Sequence, residues 1–198
     1  VFLLCNPHNP TGSCWSPEEL TRIGEICLRR RVVVLADEIH CDFVSRGQKF
    51  TPFASLKDRD IVNNSLTFKA MSKSFNLSAH KVGWFYSTNP DLMARVKANH
   101  RADLTTLGIV ANLAALKGGE NWLDHVGAYI DGNHDFVQEY LADRIPLLAA
   151  KKPEGTYLVW LDVTQVAERI GASGLAANQV GVGKRIAEVA KGDLPNAQ

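Results

Sequence analysis

The chain has 198 residues, 45% of them apolar, which is enough for a substantial buried core in a domain or a domain and a half. The 22 basic and 21 acidic residues are interspersed and leave a formal charge of +1, which argues against a nucleic-acid or membrane-surface partner; charges also interrupt every apolar run before it reaches the length of a membrane span. Cys5, Cys14, Cys27 and Cys41 form no CxxC pair, so buried free thiols in a reducing cytoplasm are expected in place of a zinc site or a disulfide framework.

Residues 1–5 read as a buried apolar strand, followed by the turn-rich Asn6-Pro7-His8-Asn9-Pro10-Thr11-Gly12. Ser16-Pro17-Glu18-Glu19 predicts a helix start. Ser16 suits the N-cap, Pro17 the first helical position, and Glu19 closes a capping box. Leu20, Ile23, Ile26 and Cys27 then recur at helical spacing, and Arg29-Arg30-Arg31 complements the negative end of the helix dipole. Residues 32–36 are continuously apolar and β-branched, as a parallel strand buried on both faces should be; strand, helix and strand make a βαβ unit.

Further strands are predicted at 65–68 and 82–86. Asn89-Pro90 opens a helix, another runs near 107–116, and a long one covers 122–141, with Gly127 and Gly132 as weak points. A strand at 155–162, a short helix at 164–170 and an apolar stripe at 186–190 follow. The change from alternating strands and helices to one long helix and new strands predicts a domain boundary near 130–145, dividing the chain into 1–130 and 131–198. Because the chain opens directly in a strand without an initiator methionine, and 171–198 lacks a clear pattern, it is expected to be a fragment.

Three segments carry candidate chemistry. Asp37 follows the 32–36 strand, in Ala36-Asp37-Glu38-Ile39-His40, where the carboxyl ends of strands in an open α/β sheet face a ligand crevice. A carboxylate there needs a cationic or hydrogen-bonding partner, which a protonated pyridine nitrogen would provide, although aspartate also commonly caps the helix after a strand. In Asn9-Pro10-Thr11-Gly12 a rigid backbone can aim an amide at a ring oxygen, or simply form a surface turn. Lys73, in Met71-Ser72-Lys73-Ser74-Phe75-Asn76-Leu77, sits in a loop after a strand, where partial desolvation beside another cation favours the nucleophilic amine. Lys81 could be that cation, a phosphate ligand, or a solvated residue at a strand entrance.

The order of Asn9-Pro10-Thr11-Gly12, then Asp37 and His40, then Ser72-Lys73-Ser74-Phe75-Asn76 resembles the fold-type-I pyridoxal-5′-phosphate (PLP) enzymes, the class I/II aminotransferases and relatives. The resemblance spans roughly residues 1–165. It implies a three-layer α/β large domain with a mostly parallel sheet, represented by its second half over 1–130. An interdomain helix and part of a small α+β domain would occupy 131–198. It further implies that Asn9 binds the cofactor's phenolic oxygen, that Asp37 pairs with its ring nitrogen, and that Lys73 holds its aldehyde carbon as a Schiff base. His40, Ser72 and Lys81 complete the cofactor-binding set.

Aminotransferases commonly carry tyrosine where His40 stands. Asp37-Glu38-Ile39-His40, Ser72 to Asn76 and Thr156-Tyr157-Leu158-Val159-Trp160-Leu161-Asp162 look like the cystathionine β-lyase group of MalY/PatB type. That implies cleavage of cystathionine or L-cysteine S-conjugates to thiol, pyruvate and ammonia, with transamination of an amino acid as the alternative. Tyr157 and Trp160 also fit ordinary packing, and His40 could merely brace the site. Two departures concern the phosphate: Lys81 replaces a bidentate arginine, and Ala70 replaces a serine. The family's carboxylate-binding arginine has no matching motif around Arg169 or Arg185. This piece alone is therefore expected to be inactive, or to be a binding module that keeps half of a cofactor site; the complete protein is expected to be a cytoplasmic homodimer.

Overall fold

The computed structural model describes residues 1–99 and 103–172; Arg185 and the 186–190 stripe lie outside the described residues. Strand β1 (Phe2–Cys5) leads through the predicted turn to helix α1 (Pro17–Arg29) and strand β2 (Val34–Asp37). A short helix α2 (Arg59–Asn63), capped by Asp58, precedes β3 (Ser65–Lys69) and β4 (Trp84–Tyr86). Helices α3 (Pro90–Asn99), α4 (Thr106–Gly118) and α5 (Glu120–Arg144) follow, and then β5 (Ala149–Ala150), β6 (Leu161–Asp162) and α6 (Thr164–Arg169). No helix among the described residues is long and apolar enough to cross a membrane.

The start of α1 forms as its residues dictate. The Ser16 hydroxyl accepts from the Glu19 amide at 3.2 Å while the Glu19 carboxylate accepts from the Ser16 amide at 2.8 Å, satisfying two backbone donors that the helix cannot. At the other end, Arg31 takes a left-handed turn at φ 53° and returns the chain to β2.

The sheet has the order β1-β2-β3-β4, with the first three strands parallel and β4 antiparallel. The register aligns Leu4 with Ala36 and Ala36 with Thr67, and all three are buried on the face that joins the core of Leu20, Cys27, Phe53, Ile61 and Val62. The opposite face is covered less. Leu3 is 67% exposed and Leu35 half-buried, so β2 is not buried on both faces as its composition predicts. Composition reports what a strand can bury, whereas neighbouring elements decide what it does bury; on this face Leu92 and Val96 of α3 approach Val33 and Leu35.

Two corrections concern boundaries. β2 begins two residues later than its apolar run suggests and includes Asp37, which is paired in register with Cys5 and Phe68. The strand expected at 155–162 is reduced to β6, because Thr156 adopts φ 71° and its hydroxyl accepts from the Leu158 amide at 3.2 Å, breaking the extended run. Gly127 and Gly132 do not interrupt α5.

Contacts divide the chain into two compact units. The first is Val1–Ile130 with Pro153–Leu158; the second is Asp131–Lys152 with Val159–Gln198. In the first, the 153–158 segment is knitted to the β2 exit loop: Ser45 and Gly155 donate to the Glu154 and Gly12 carbonyls at 2.9 and 2.8 Å, and Thr156 donates to Phe43 at 2.9 Å. In the second, β5 pairs with β6, and Gln138 donates to the Ala150 carbonyl at 3.2 Å.

Candidate active site

Asn9, Asp37, His40, Ser72, Lys73 and Lys81 all lie in the first unit, where the carboxyl ends of β1, β2 and β3 bring three loops together. Asp37 ends β2, and its carboxylate accepts from the Ile39 amide at 3.1 Å, an arrangement that steers the chain into a turn. That turn is closed by the Cys41 and Phe43 amides, donating to the Glu38 and His40 carbonyls at 3.0 Å each. Asp37 and Ile39 line an open cavity of about 760 Å³ together with Leu35, Phe68, Lys69 and Trp84.

Lys73 occupies a run of turns after β3. Phe75 donates to the Met71 carbonyl at 3.1 Å, while the Leu77 amide and the Ser78 hydroxyl both donate to the Ser72 carbonyl, at 3.0 and 3.2 Å. Phe75 presses against Gly119 at the α4–α5 junction, where a Cβ would stand 2.2 Å from the ring. The loop is thereby held from within and from the helical side. Lys73 and Ser72 line a cavity of about 380 Å³ with Phe43, Trp122, Val126 and Tyr157.

Asp37 and Lys73 thus open onto two different cavities, and the group influenced by both is His40. Its ring is 2% exposed, lies 5.5 Å from the Tyr157 ring, and has an Nδ1 that is buried without a hydrogen-bond partner. Burial holds the imidazole below its ordinary value of 6.5; the Lys73 ammonium adds to this and the Asp37 carboxylate opposes it. His40 is therefore a neutral ring near neutral pH.

A depressed histidine has a defined consequence for stability. The unfolded chain protonates first, so the contribution of His40 is complete above pH 6.5 and is lost as pH falls toward the folded value. For the complete protein, the urea midpoint should fall between about pH 7.5 and about pH 5.5, and His40→Gln should fall less over the same interval. Equal losses in the two proteins would exclude this role for His40.

The remaining candidates are placed less centrally. Asn9 is exposed and lines neither cavity; it follows the cis Asn6-Pro7 bond and precedes the cis Asn9-Pro10 bond. Lys81 is exposed, adopts φ 54°, and also lines neither cavity. Tyr157 packs edge-on against Phe43 at 5.3 Å, whereas Trp160 is 59% exposed in the second unit.

Glu38, Lys69, Asp42 and Ser74, to which sequence reasoning gave no role, belong to the same neighbourhood. Glu38 is 1% exposed; it accepts from the Phe53 amide at 2.8 Å and lies 3.7 Å from the Lys69 ammonium, and burial pushes its carboxyl up. Ser74, 2% exposed, donates to the Asp42 carboxylate. All four described cysteines are free, although only Cys27 is fully buried; the Cys41 thiol is pushed up to about 11, first by burial and then by the Asp42 carboxylate. Adjacency to Asp37 and Lys73 was the available signal for Glu38 and Ser74, but residue type alone named no partner. No cluster of metal-ligating side chains occurs among the described residues.

Comparison with known proteins adds a family to this geometry. Residues 1–183 match the family model described as aminotransferase class I and II. Cystathionine beta-lyase PatB of Bacillus subtilis (strain 168) is 39% identical over 168 residues, covering 82% of this chain and 43% of the relative. Asparagine--oxo-acid transaminase of Streptococcus mutans serotype c (strain ATCC 700610 / UA159) is 25% identical over 174 residues, covering 86% and 44%. The crystal structure of the PLP-bound C-S lyase from Staphylococcus hominis is similar with a TM-score of 0.79 and 32% identity, covering 90% of this chain and 44% of that one. The chain spans less than half the length of each.

Proposed function

This chain belongs to the class I and II aminotransferase family, and from that premise we propose that the complete protein is a PLP-dependent carbon–sulfur β-lyase acting on cystathionine or other L-cysteine S-conjugates. The observation that carries the reading is the buried His40, packed beside Tyr157 with an unpartnered Nδ1 and close enough to feel the charges of both Asp37 and Lys73. The names of two similar proteins, a cystathionine beta-lyase and a C-S lyase, point the same way.

The residues present fit PLP. An amine, a carboxylate and a hydroxyl stand in the loops that leave the carboxyl ends of parallel strands, and the orphaned Nδ1 of His40 is a buried polar atom that a bound polar group would satisfy. Lys73 would hold the aldehyde carbon, Asp37 the ring nitrogen and Asn9 the phenolic oxygen, with His40 and Ser72 beside them and Lys81 toward the phosphate. When bound, PLP supplies an electron sink for the carbanion formed at the substrate's α-carbon.

The chain's own side chains would do the rest. Asp37, half-buried at the end of β2, would hold the ring nitrogen and favour a proton there. With substrate in the site, the Lys73 amine would take the α-proton as general base. Trp122 and Val126 with Tyr157 place apolar surface beside that amine, limiting water at the proton-transfer site. Loss of thiolate from the β-carbon then completes the elimination, and hydrolysis of the remainder yields pyruvate and ammonia.

The complete protein is further proposed to be a cytoplasmic homodimer. Leu107, Val110 and Leu116 of α4 are 72%, 59% and 59% exposed, an apolar surface that an added subunit would cover. Incubating the complete, PLP-loaded protein with cystathionine tests the reaction: pyruvate and free thiol should accumulate without an added oxo acid. Obligatory dependence on 2-oxoglutarate would replace the lyase with a transaminase.

A further inference from the structure

Two turns carry the proposed cofactor-gripping groups, and each is rigid by itself. The turn after β2 is pinned at its start by the Glu38 amide on the Phe68 carbonyl at 3.0 Å and at its end by Thr156 and Ser45, bonded to Phe43 and Glu154 at 2.9 Å each. The turn around Lys73 is closed by the Phe75 and Leu77 amides on the Met71 and Ser72 carbonyls. A side-chain bond joins one turn to the other: the buried Ser74 hydroxyl donates to Asp42 Oδ2, while Asp42 Oδ1 faces the Cys41 thiol at 3.7 Å. Ser74 follows Lys73 directly, and Asp42 stands five residues beyond Asp37.

We propose that Asp42 and Ser74 are positioning residues whose hydrogen bond sets where the Lys73 amine stands relative to the Asp37 carboxylate. The inference rests on the reading of Lys73 and Asp37 given above. A hydroxyl and an acceptor oxygen in a hydrogen bond hold two otherwise independent loops at a short, fixed separation, which suits a joint between them. Without it, neither loop need unfold, because each retains its own backbone bonds; the spacing between them would relax. Misplacement of a reacting group by about 1 Å can cost about 10²-fold in rate, so even a small relaxation between the two turns would be read in the capture of cofactor by Lys73.

The test uses the complete protein as apoenzyme, with PLP as the probe. Ser74→Ala and Asp42→Ala should each slow borohydride-trappable capture of PLP on Lys73 by about 10-fold to about 100-fold. Each should also move the pH midpoint of the bound cofactor's absorbance, while far-ultraviolet dichroism remains that of the parent. Combined, the two substitutions should be no worse than either, since both remove the same bond. Asp42→Asn keeps an acceptor oxygen for Ser74 and should stay within about twofold of the parent in capture rate.

Parental capture rates and midpoints in both alanine variants would overturn the proposal, as would losses that add in the double variant. If Ser74→Ala does not fold, the contrast between Asp42→Ala and Asp42→Asn decides the matter in the same way. Absence of trapping on Lys73 in the parent protein would instead defeat the underlying assignment of the amine, so the two failures are distinguishable.

Discussion

Lys73→Ala in the complete protein is expected to abolish covalent retention of PLP after borohydride reduction and to slow turnover by at least about 10²–10⁴-fold, the usual contribution of one positioned general base. The structure offers no ready replacement among the nearby lysines. Lys81 is exposed and lines neither cavity. Lys69 borders the Asp37 cavity but lies 3.7 Å from the Glu38 carboxylate, which favours its charged form over the nucleophilic one. Peptide mass mapping of the reduced protein reads the result. A variant that still carried the label, on Lys69 or Lys81, would move the assignment to that residue.

Gly12→Ala is expected to lower folding stability by about 2–5 kcal/mol, combining about 1–2 for a left-handed alanine with about 1–3 for overpacking. Gly12 has φ +73°, and a Cβ built there would stand 2.2 Å from Pro153 Cβ and 2.8 Å from the Gly155 carbonyl oxygen. Both neighbours are fixed, since Gly155 donates to the Gly12 carbonyl at 2.8 Å and the Pro153 carbonyl accepts from the Ser45 hydroxyl at 2.7 Å. Relief would require backbone movement in the turn that carries Asn9, so PLP affinity should fall together with stability. Urea unfolding of the complete protein measures the first quantity and cofactor titration the second. A variant as stable as the parent would mean that the 153–155 segment does not close over the turn.

The elements most legible in the chain were those governed by neighbours a few residues away. Ser16-Pro17-Glu18-Glu19 announces the start of α1 because the capping box is made within four residues, and the observed bonds follow it atom for atom. Asn89 opens α3 in the same way, its carboxamide accepting from Asp91 and Leu92. The family was equally legible, since it rests on residue types in a fixed order along the backbone.

What local reasoning missed has a common cause in contacts across large separations. The Cys14 amide bonds the Glu154 carboxylate and the Ser45 hydroxyl bonds the Pro153 carbonyl, partners 140 and 108 residues apart. No periodicity announces such pairs. Extended residues 155–160 were equally compatible with a strand until Thr156 took its positive φ against Phe43.

Residue order alone settled the family and the α/β class and singled out the amine, carboxylate and amide candidates, because these depend on motifs and short-range bonding that travel with the backbone. Folding in three dimensions assigned the opposite faces of the sheet, the two separate cavities and the bond from Asp42 to Ser74. Those features arise where distant segments compete for the same buried space and the same hydrogen-bond partners, a contest decided by packing and not by any residue's own preference.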